Sequence, residues 1–413
     1  MPCRQRPAGG FVAVVTKQIE AGRALTDIYP ARFCTLCRKE DAMSKQRIQL
    51  SDHFTYSRLL RFVLPCIGTM LFTSIYGIVD GLCVSNFVGK TAFAAVNLIM
   101  PLPMLLGTIG FMLGTGGSAI VGITLGEGDQ KKADRYFTLF LLAALVSVSV
   151  LAVLGIVFLR PIAVLLGAKG ELLDYAVRYG RILMVSLPTF ALQNMFQSFF
   201  VTAEKPHLGF WFTVGAGCTN MVLDVLMVGV WGWGVEGAAI ATFISQLVGG
   251  VLPVFYFIDR SNSSRLHLCK TSFYSKVLRD ACINGSSELM TNLSMSLVNI
   301  LYNYQLLRLA GENGVAAYGV IMYAAFLFVA VFVGYAVGSA PIVSFHYGAR
   351  NHAEVHNLYS KSLRLIGVVA VVMTGISMVF IPYVSRIFVG YDASLLALTN
   401  RAFRLYALSF LIM

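Results

Sequence analysis

The chain has 413 residues, 57% of them hydrophobic and only 13% charged, with a formal net charge of +12. Soluble domains carry about 25% charged residues, so a water-soluble globular fold is excluded and a polytopic helical membrane protein is the expected class. The positive balance does not point to nucleic acid, because Lys and Arg gather in the short gaps between apolar runs and no face mixes basic with aromatic residues.

Residues 1–57 read as an N-terminal extension, disordered or assigned to the wrong start, because they lack the apolar core and small-residue cleavage site of a signal peptide. Met43 precedes a basic, polar lead-in to the first apolar run and is the expected working start. The Cys34–Cys37 CxxC has no second pair to complete four zinc ligands, so no metal site is expected. A span needs about 20 residues to cross a hydrocarbon core of roughly 30 Å. Ten apolar runs meet that length: 60–86, 92–123, 137–159, 179–201, 208–230, 236–258, 280–306, 316–345, 363–383 and 392–413. The basic gaps 126–136, 202–207, 259–279 and 349–364 are expected on the cytoplasmic side, together with the N-terminus. The chain stops at Met413 inside an apolar run, so further spans are expected beyond it.

A shift of about 222 positions superimposes the two halves. Val88-Gly89, Ala94-Ala95 and Ile99-Met100 fall on Ala310-Gly311, Ala316-Ala317 and Ile321-Met322. Gly117-Ser118-Ala119 and Gly126 fall on Gly338-Ser339-Ala340 and Gly348, with one extra residue in the second copy. Six spans separate equivalent elements, and an even number returns the second copy in the same orientation. The expected fold is therefore all-α, with two parallel six-helix repeats facing one another across a central cavity. The N-lobe takes 58–258 with spans 1 to 6, a cytoplasmic linker takes 259–279, and a truncated C-lobe takes 280–413 with spans 7 to 10.

Asp80 and Asp224 lie deep inside apolar runs, where an ionised carboxylate is costly and marks an ion or substrate path. Counting inward from the outer span ends, Asp80, Asp224 and Thr242 come to one level, and Asn220 is one turn from Asp224 on the same face. Oxygen ligands with spare negative charge suit a proton or a small hard cation and not zinc or copper. Removal from water disfavours the charged carboxylate, and a second one nearby disfavours it again in one of the pair, so proton exchange is within its chemistry. The alternative is that each residue satisfies a local hydrogen bond. Glu288 lies lower, with Asn284 and Asn292 flanking it by one turn, and Gln193, Asn194 and Gln197 make another polar stripe, so both stripes are candidates to line the cavity or to serve as structural networks. Pro65 removes a backbone hydrogen bond from span 1 and is a candidate hinge. Met100, Met104, Met112, Phe196, Phe199 and Phe200 read as lipid-facing or packing residues, with a few available for a pliable apolar wall.

Several stretches carry a family likeness. They are Pro65 with Asp80-Gly81, Gly126-Glu127-Gly128-Asp129 with Lys131-Lys132-Ala133, and the run Gly232 to Thr242. Asn284-Gly285-Ser286-Ser287-Glu288-Leu289 and Gly338-Ser339-Ala340-Pro341-Ile342 join them. In these the chain, over about 55–413, resembles the multidrug and toxic compound extrusion (MATE) family, in its bacterial multi-antimicrobial branch. The resemblance implies twelve spans in two lobes and export of bulky, often cationic drug-like compounds in exchange for protons or sodium, with no other cofactor. It assigns Asp80, Asn220, Asp224 and Thr242 to the coupling cation. Glu288 stands nearer the start of its span than the second-lobe acid of many relatives, and the glycine usual after span 4 is absent from Ala203-Glu204-Lys205-Pro206.

The expected activity is secondary antiport by alternating access, in a monomer of the bacterial inner membrane with no nucleic-acid partner and no enzymatic reaction. Glu288, Asn194, Gln197 and Asn292 are the expected substrate contacts. A lipid-linked oligosaccharide flippase of the same superfamily is the nearest rival and would need a basic cavity. An intramembrane enzyme is the rival of another class, and no HExxH or GxSxG motif supports it.

Overall fold

The computed structural model describes residues 48–88, 90–166, 168–389 and 393–411. Cys34, Cys37 and Met43 lie outside them. Helix α1 (Tyr56–Phe87) contains Pro65 without ending there, and Thr69 Oγ1 donates to the Pro65 carbonyl at 2.9 Å. The second apolar run, expected as one span, is divided into α2 (Lys90–Ile99) and α3 (Pro101–Gly126), because Pro101 has no N–H to continue the ladder. Helix α4 (Gln130–Leu165) opens on Asp129, whose carboxylate accepts the Lys132 N–H at 3.0 Å. Helix α5 (Glu171–Thr202) follows. Helix α6 (Pro206–Asp224) runs straight into a π-helical turn, Val225–Val230, where the Trp231 N–H reaches back five residues to the Leu226 carbonyl at 2.8 Å. The sixth run is divided at Val251, two residues before Pro253, into α7 (Gly234–Gly250) and α8 (Leu252–Ile258).

Helix α9 (Ser275–Gly348) keeps helical hydrogen bonding over 74 residues. Straight, it would be about 110 Å long, more than three hydrocarbon cores. It is not straight. The Tyr302 and Tyr318 rings stack with centroids 5.5 Å apart, whereas a straight helix would separate them by about 24 Å. Helix α9 is therefore a hairpin of two limbs, matching the expected spans 280–306 and 316–345. Helix α10 (His352–Val389) and α11 (Ala393–Ala407), closed by a 3-10 turn at Leu408–Leu411, complete the chain. Among the described residues, 7 helical segments are long and apolar enough to cross a membrane by length and composition alone, which makes this a multi-pass membrane protein.

The internal repeat is written into the contacts between lobes. A side chain on Gly126 of α3 would collide with the Phe345 carbonyl of α9, and one on Gly348 of α9 would collide with the Ile123 carbonyl of α3. The offset that carries Gly126 onto Gly348 also carries Ile123 onto Phe345, so these two contacts are one contact seen from either copy. The same exchange turns Gly116, which abuts Gly285, into Gly338, which abuts Val63, so the contacts pair Gly338 with Gly116, one residue before the Gly117 expected from the sequence. A two-fold axis along the membrane normal accounts for both pairs. All of these close approaches fall in the half of the molecule that the basic gaps assign to the cytoplasm, so the lobes are shut on that side.

Around that closure Leu50 to Phe54 form a strap between the lobes. The Leu50 N–H donates to Glu204 of the N-lobe at 2.9 Å, and the Phe54 N–H donates to Glu354 of the C-lobe at 2.9 Å. His53 Nδ1 lies 2.6 Å from the same Glu354 carboxylate, and Lys361 donates to the Phe54 carbonyl at 2.6 Å. Glu204 also pairs with Arg265 at 2.5 Å. It holds a left-handed backbone, φ 61°, at a cost of about 1 kcal/mol for a residue with a side chain. The departure from the family's loop glycine thus falls where glycine would be relaxed, and the side chain gained there joins the strap to the linker.

The N-lobe core near this side is aromatic. Phe196, Phe199 and Phe200 are at most 2% exposed and pack with Phe137 and Phe257, with centroids as close as 4.8 Å. They are core residues and do not face lipid.

Candidate functional site

Helices α1, α6 and α7 pack on one another and carry the four predicted coupling residues. A Cβ on Gly217 of α6 would meet the rings of Phe72 and Tyr76 of α1, and one on Gly68 of α1 would meet Phe210 of α6. The two helices therefore run parallel, in a register that sets Asp80 of α1 level with the stretch of α6 around Asp224. Gly234, at the start of α7, lies against Val88. Eight residues inward from each, about 12 Å, lie Thr242 and Asp80. Gly237 of α7 abuts Met227, which independently brings Thr242 level with the turn between Asn220 and Asp224. Three separate contacts thus bring the backbone positions of Asp80, Asn220, Asp224 and Thr242 to one depth. The Asp80 side chain lies outside the described residues.

Asp224 is 0% exposed and Asn220 2%. The Asn220 amide nitrogen finds no hydrogen-bond partner among the described residues. Thr242 Oγ1 gives its proton to the Ala238 carbonyl at 2.9 Å, leaving its lone pairs to face a cation or a donor. The π turn begins at the residue after Asp224. Such turns insert one residue into a helix and recur at functional sites. Together these groups offer a buried carboxylate, a buried amide oxygen and a partly buried hydroxyl, a donor set for a proton or a hard monovalent cation. Among the described residues no three His, Cys, Asp or Glu come together as a metal site.

The four expected substrate contacts fall into two places. Asn194 is 5% exposed inside the N-lobe, and Gln197 lies one turn further along α5. Gln197 lines a narrow crevice with Cys66, Thr69, Met70 and Pro206 of the N-lobe and Val337 of the C-lobe. Glu288 and Asn292 are partly exposed on the first limb of α9, where Asn292 Nδ2 donates to the Glu288 carbonyl at 2.9 Å and leaves its carboxylate free of that bond. Contacts through α3 place these pairs at different depths. Gly114 meets Met195 while Gly285 meets Met112, so Glu288 lies outward of Asn194 and Asn292 further outward still. Gln193 turns instead to α7, where its amide fills the space beside Gly249. Pro65 is buried beside Val63 and Cys66, which touch Gly338 across the lobe boundary.

Sequence reading missed Gln246. Its Oε1 is buried without a partner among the described residues, and it stands one turn below Thr242 on the same face, a spacing that would have revealed it.

The MatE family model matches residues 65–226 and 289–413. The multidrug export protein MepA of Staphylococcus haemolyticus is 22% identical over 336 residues, covering 81% of this chain and 72% of that protein. MepA of Staphylococcus aureus strain N315 is likewise 22% identical, over 319 residues, covering 77% and 70%. Two solved structures share the fold with a TM-score of 0.83 and 22% identity, each covering 89% of this chain and 82% of the other. They are a MATE protein in complex with MaL6 and the outward-facing conformation of a multidrug resistance MATE transporter. With the family model covering both lobes, the chain belongs to the MATE family of membrane efflux transporters.

Proposed function

We propose that the protein is an antiporter that exports bulky, often cationic drug-like compounds in exchange for an inward flow of protons or sodium. The observation that carries the reading is the fully buried Asp224, with Asn220 one turn away and the positions of Asp80 and Thr242 at its depth. Burial disfavours the ionised form of a carboxylate, so its charge state responds to a proton or a cation that arrives beside it. Closure of the lobes on the basic side corresponds to the state in which the outer solution reaches the cavity and compound leaves. Partly exposed Glu288 serves the compound, where one negative charge in a low-dielectric cavity favours a cation. The relatives' names, multidrug export proteins, support drug-like compounds as the cargo. A flippase for lipid-linked sugar is disfavoured by the acids at these positions.

The test is uptake of ethidium, a fluorescent monocation, into everted vesicles, the direction of export, with a pH gradient and a sodium gradient imposed separately. One gradient should drive transport and Asp224→Asn should abolish it. Transport that ignores both gradients would overturn the reading.

A further inference from the structure

Below Asp224 the N-lobe interior holds a file of amides. Asn220 Nδ2, Gln246 Oε1, Asn194 Nδ2 and Gln197 Oε1 are buried atoms that find no partner among the described residues. Buried polar atoms are nearly always satisfied, and a group of exceptions calls for water or an ion. Their depths follow from contacts already described. Asn220 is one turn below Asp224 on α6, and Gln246 one turn below Thr242 on α7. Gly249 of α7 abuts Gln193 of α5, which sets Asn194 about one turn below Gln246. Gln197 follows by three residues and lines the crevice with Thr69 and Pro206. Measured along α1, Thr69 is eleven residues below Asp80, about 16 Å. The count down α7 and α5 gives the same length, so two independent ladders agree.

We infer that this file is an ion path inside the N-lobe, separate from the compound cavity, leading from the coupling site to the crevice between Thr69, Gln197 and Pro206. Donor and acceptor alternate down the file, and a chain of waters bridging them satisfies every group. An amide presents a donor on one side and an acceptor on the other, so the same file passes a proton by water relay or lines the way for a small cation. At its lower end Pro206 opens α6 within the basic gap 202–207, so the path ends on the cytoplasmic side. The four amides are neutral, so between Asp224 and the crevice the file itself adds no charge.

The inference rests on Asp224 as the coupling site, and its test separates the two. Full-length protein in liposomes is assayed for gradient-driven ethidium transport, and in detergent for displacement of bound ethidium by protons or sodium at equilibrium. Asn194→Leu and Gln246→Leu should slow transport tenfold or more while displacement stays within twofold of the unmodified protein. Asn194→Ser and Gln246→Asn, which keep a polar group for water, should retain at least half the rate and control for folding. Unaltered transport in both Leu variants beside an inactive Asp224→Asn would sink the path alone. Equal loss in the Leu and polar variants, or loss of displacement in the Leu variants, would overturn it in favour of a structural role. An active Asp224→Asn would sink the coupling site and the path with it.

Discussion

The two lobes share their contacts and differ in their chemistry. At the boundary the copies are interchangeable: Gly126 meets Phe345 as Gly348 meets Ile123. In the interior the repeat offset carries Asp80 onto Tyr302, whose ring stacks on Tyr318, and Pro65 onto Ser287. Duplication has held the small residues that let backbones touch, because any side chain there collides with the other lobe. It has left the interiors free to diverge. The N-lobe buries amides around Asp224, whereas Glu288 on the first limb of α9 is partly exposed. On the function proposed above, ion handling falls to one copy of the scaffold and compound handling to the other.

The largest effect should come from breaking the chemical side of that contrast. Asp224→Asn keeps the side-chain shape and removes the titratable charge, and export should fall to that of vesicles without the protein. Tyr302→Phe, at the counterpart of Asp80, should leave export within about twofold, since an exposed hydroxyl contributes little. An unaffected Asp224→Asn at matched expression would erase the contrast. The shared side is tested next, with Gly126→Ala and Gly348→Ala. Each methyl meets a carbonyl of the opposite lobe, so each should disfavour the closed state by about 1–3 kcal/mol and cut export about tenfold. Cysteine accessibility on the cytoplasmic side should rise in both alike. A large effect in one and none in the other would show that the two-fold no longer governs closure.

The strap gives a smaller effect. Glu204→Ala frees Arg265 and the Leu50 N–H and relieves nothing else, so the closed state should lose about 1 kcal/mol, roughly fivefold in the conformational equilibrium. Glu204→Gly, which relaxes the left-handed backbone, should lose less than Glu204→Ala. The reverse order, read from the same accessibility assay, would remove backbone strain from the account. Glu288→Gln should be smallest and selective: ethidium export weakened about threefold and export of a zwitterionic drug unchanged, because only the cation loses a charge partner. Equal losses would move Glu288 to coupling or to structure.

The spans were legible because apolar length alone fixes them, and the level shared by Asp80, Asp224 and Thr242 was legible because helical rise is constant. The hairpin in α9 was read as two spans because 280–306 and 316–345 are separate apolar runs, although the backbone stays helical between them. The breaks at Pro101 and Pro253 were signalled by the prolines themselves and outweighed by the length of the runs. The π turn after Asp224 has no such signal, since Val225 to Val230 is ordinary helical sequence and the extra residue is accommodated by packing. Phe196, Phe199 and Phe200 could not be placed because lipid and core are equally apolar. Gln246 was missed for the opposite reason, as one neutral amide among many.

The linker between the lobes has little slack. His267 and Cys269 donate from their backbones to Asp134 and Thr138 of α4 at 3.1 Å, Thr271 donates to the Arg135 carbonyl at 2.8 Å, and the Tyr274 ring packs on Tyr136 with centroids 5.4 Å apart. Leu266 is 0% exposed. Although extended, the segment rides with the N-lobe as far as Tyr274, one residue before α9 begins. Mechanically this makes the connection a pinned joint and not a tether. Sliding one lobe past the other would tear these bonds in sequence, whereas pivoting about Ser275 strains only the first turn of a helix.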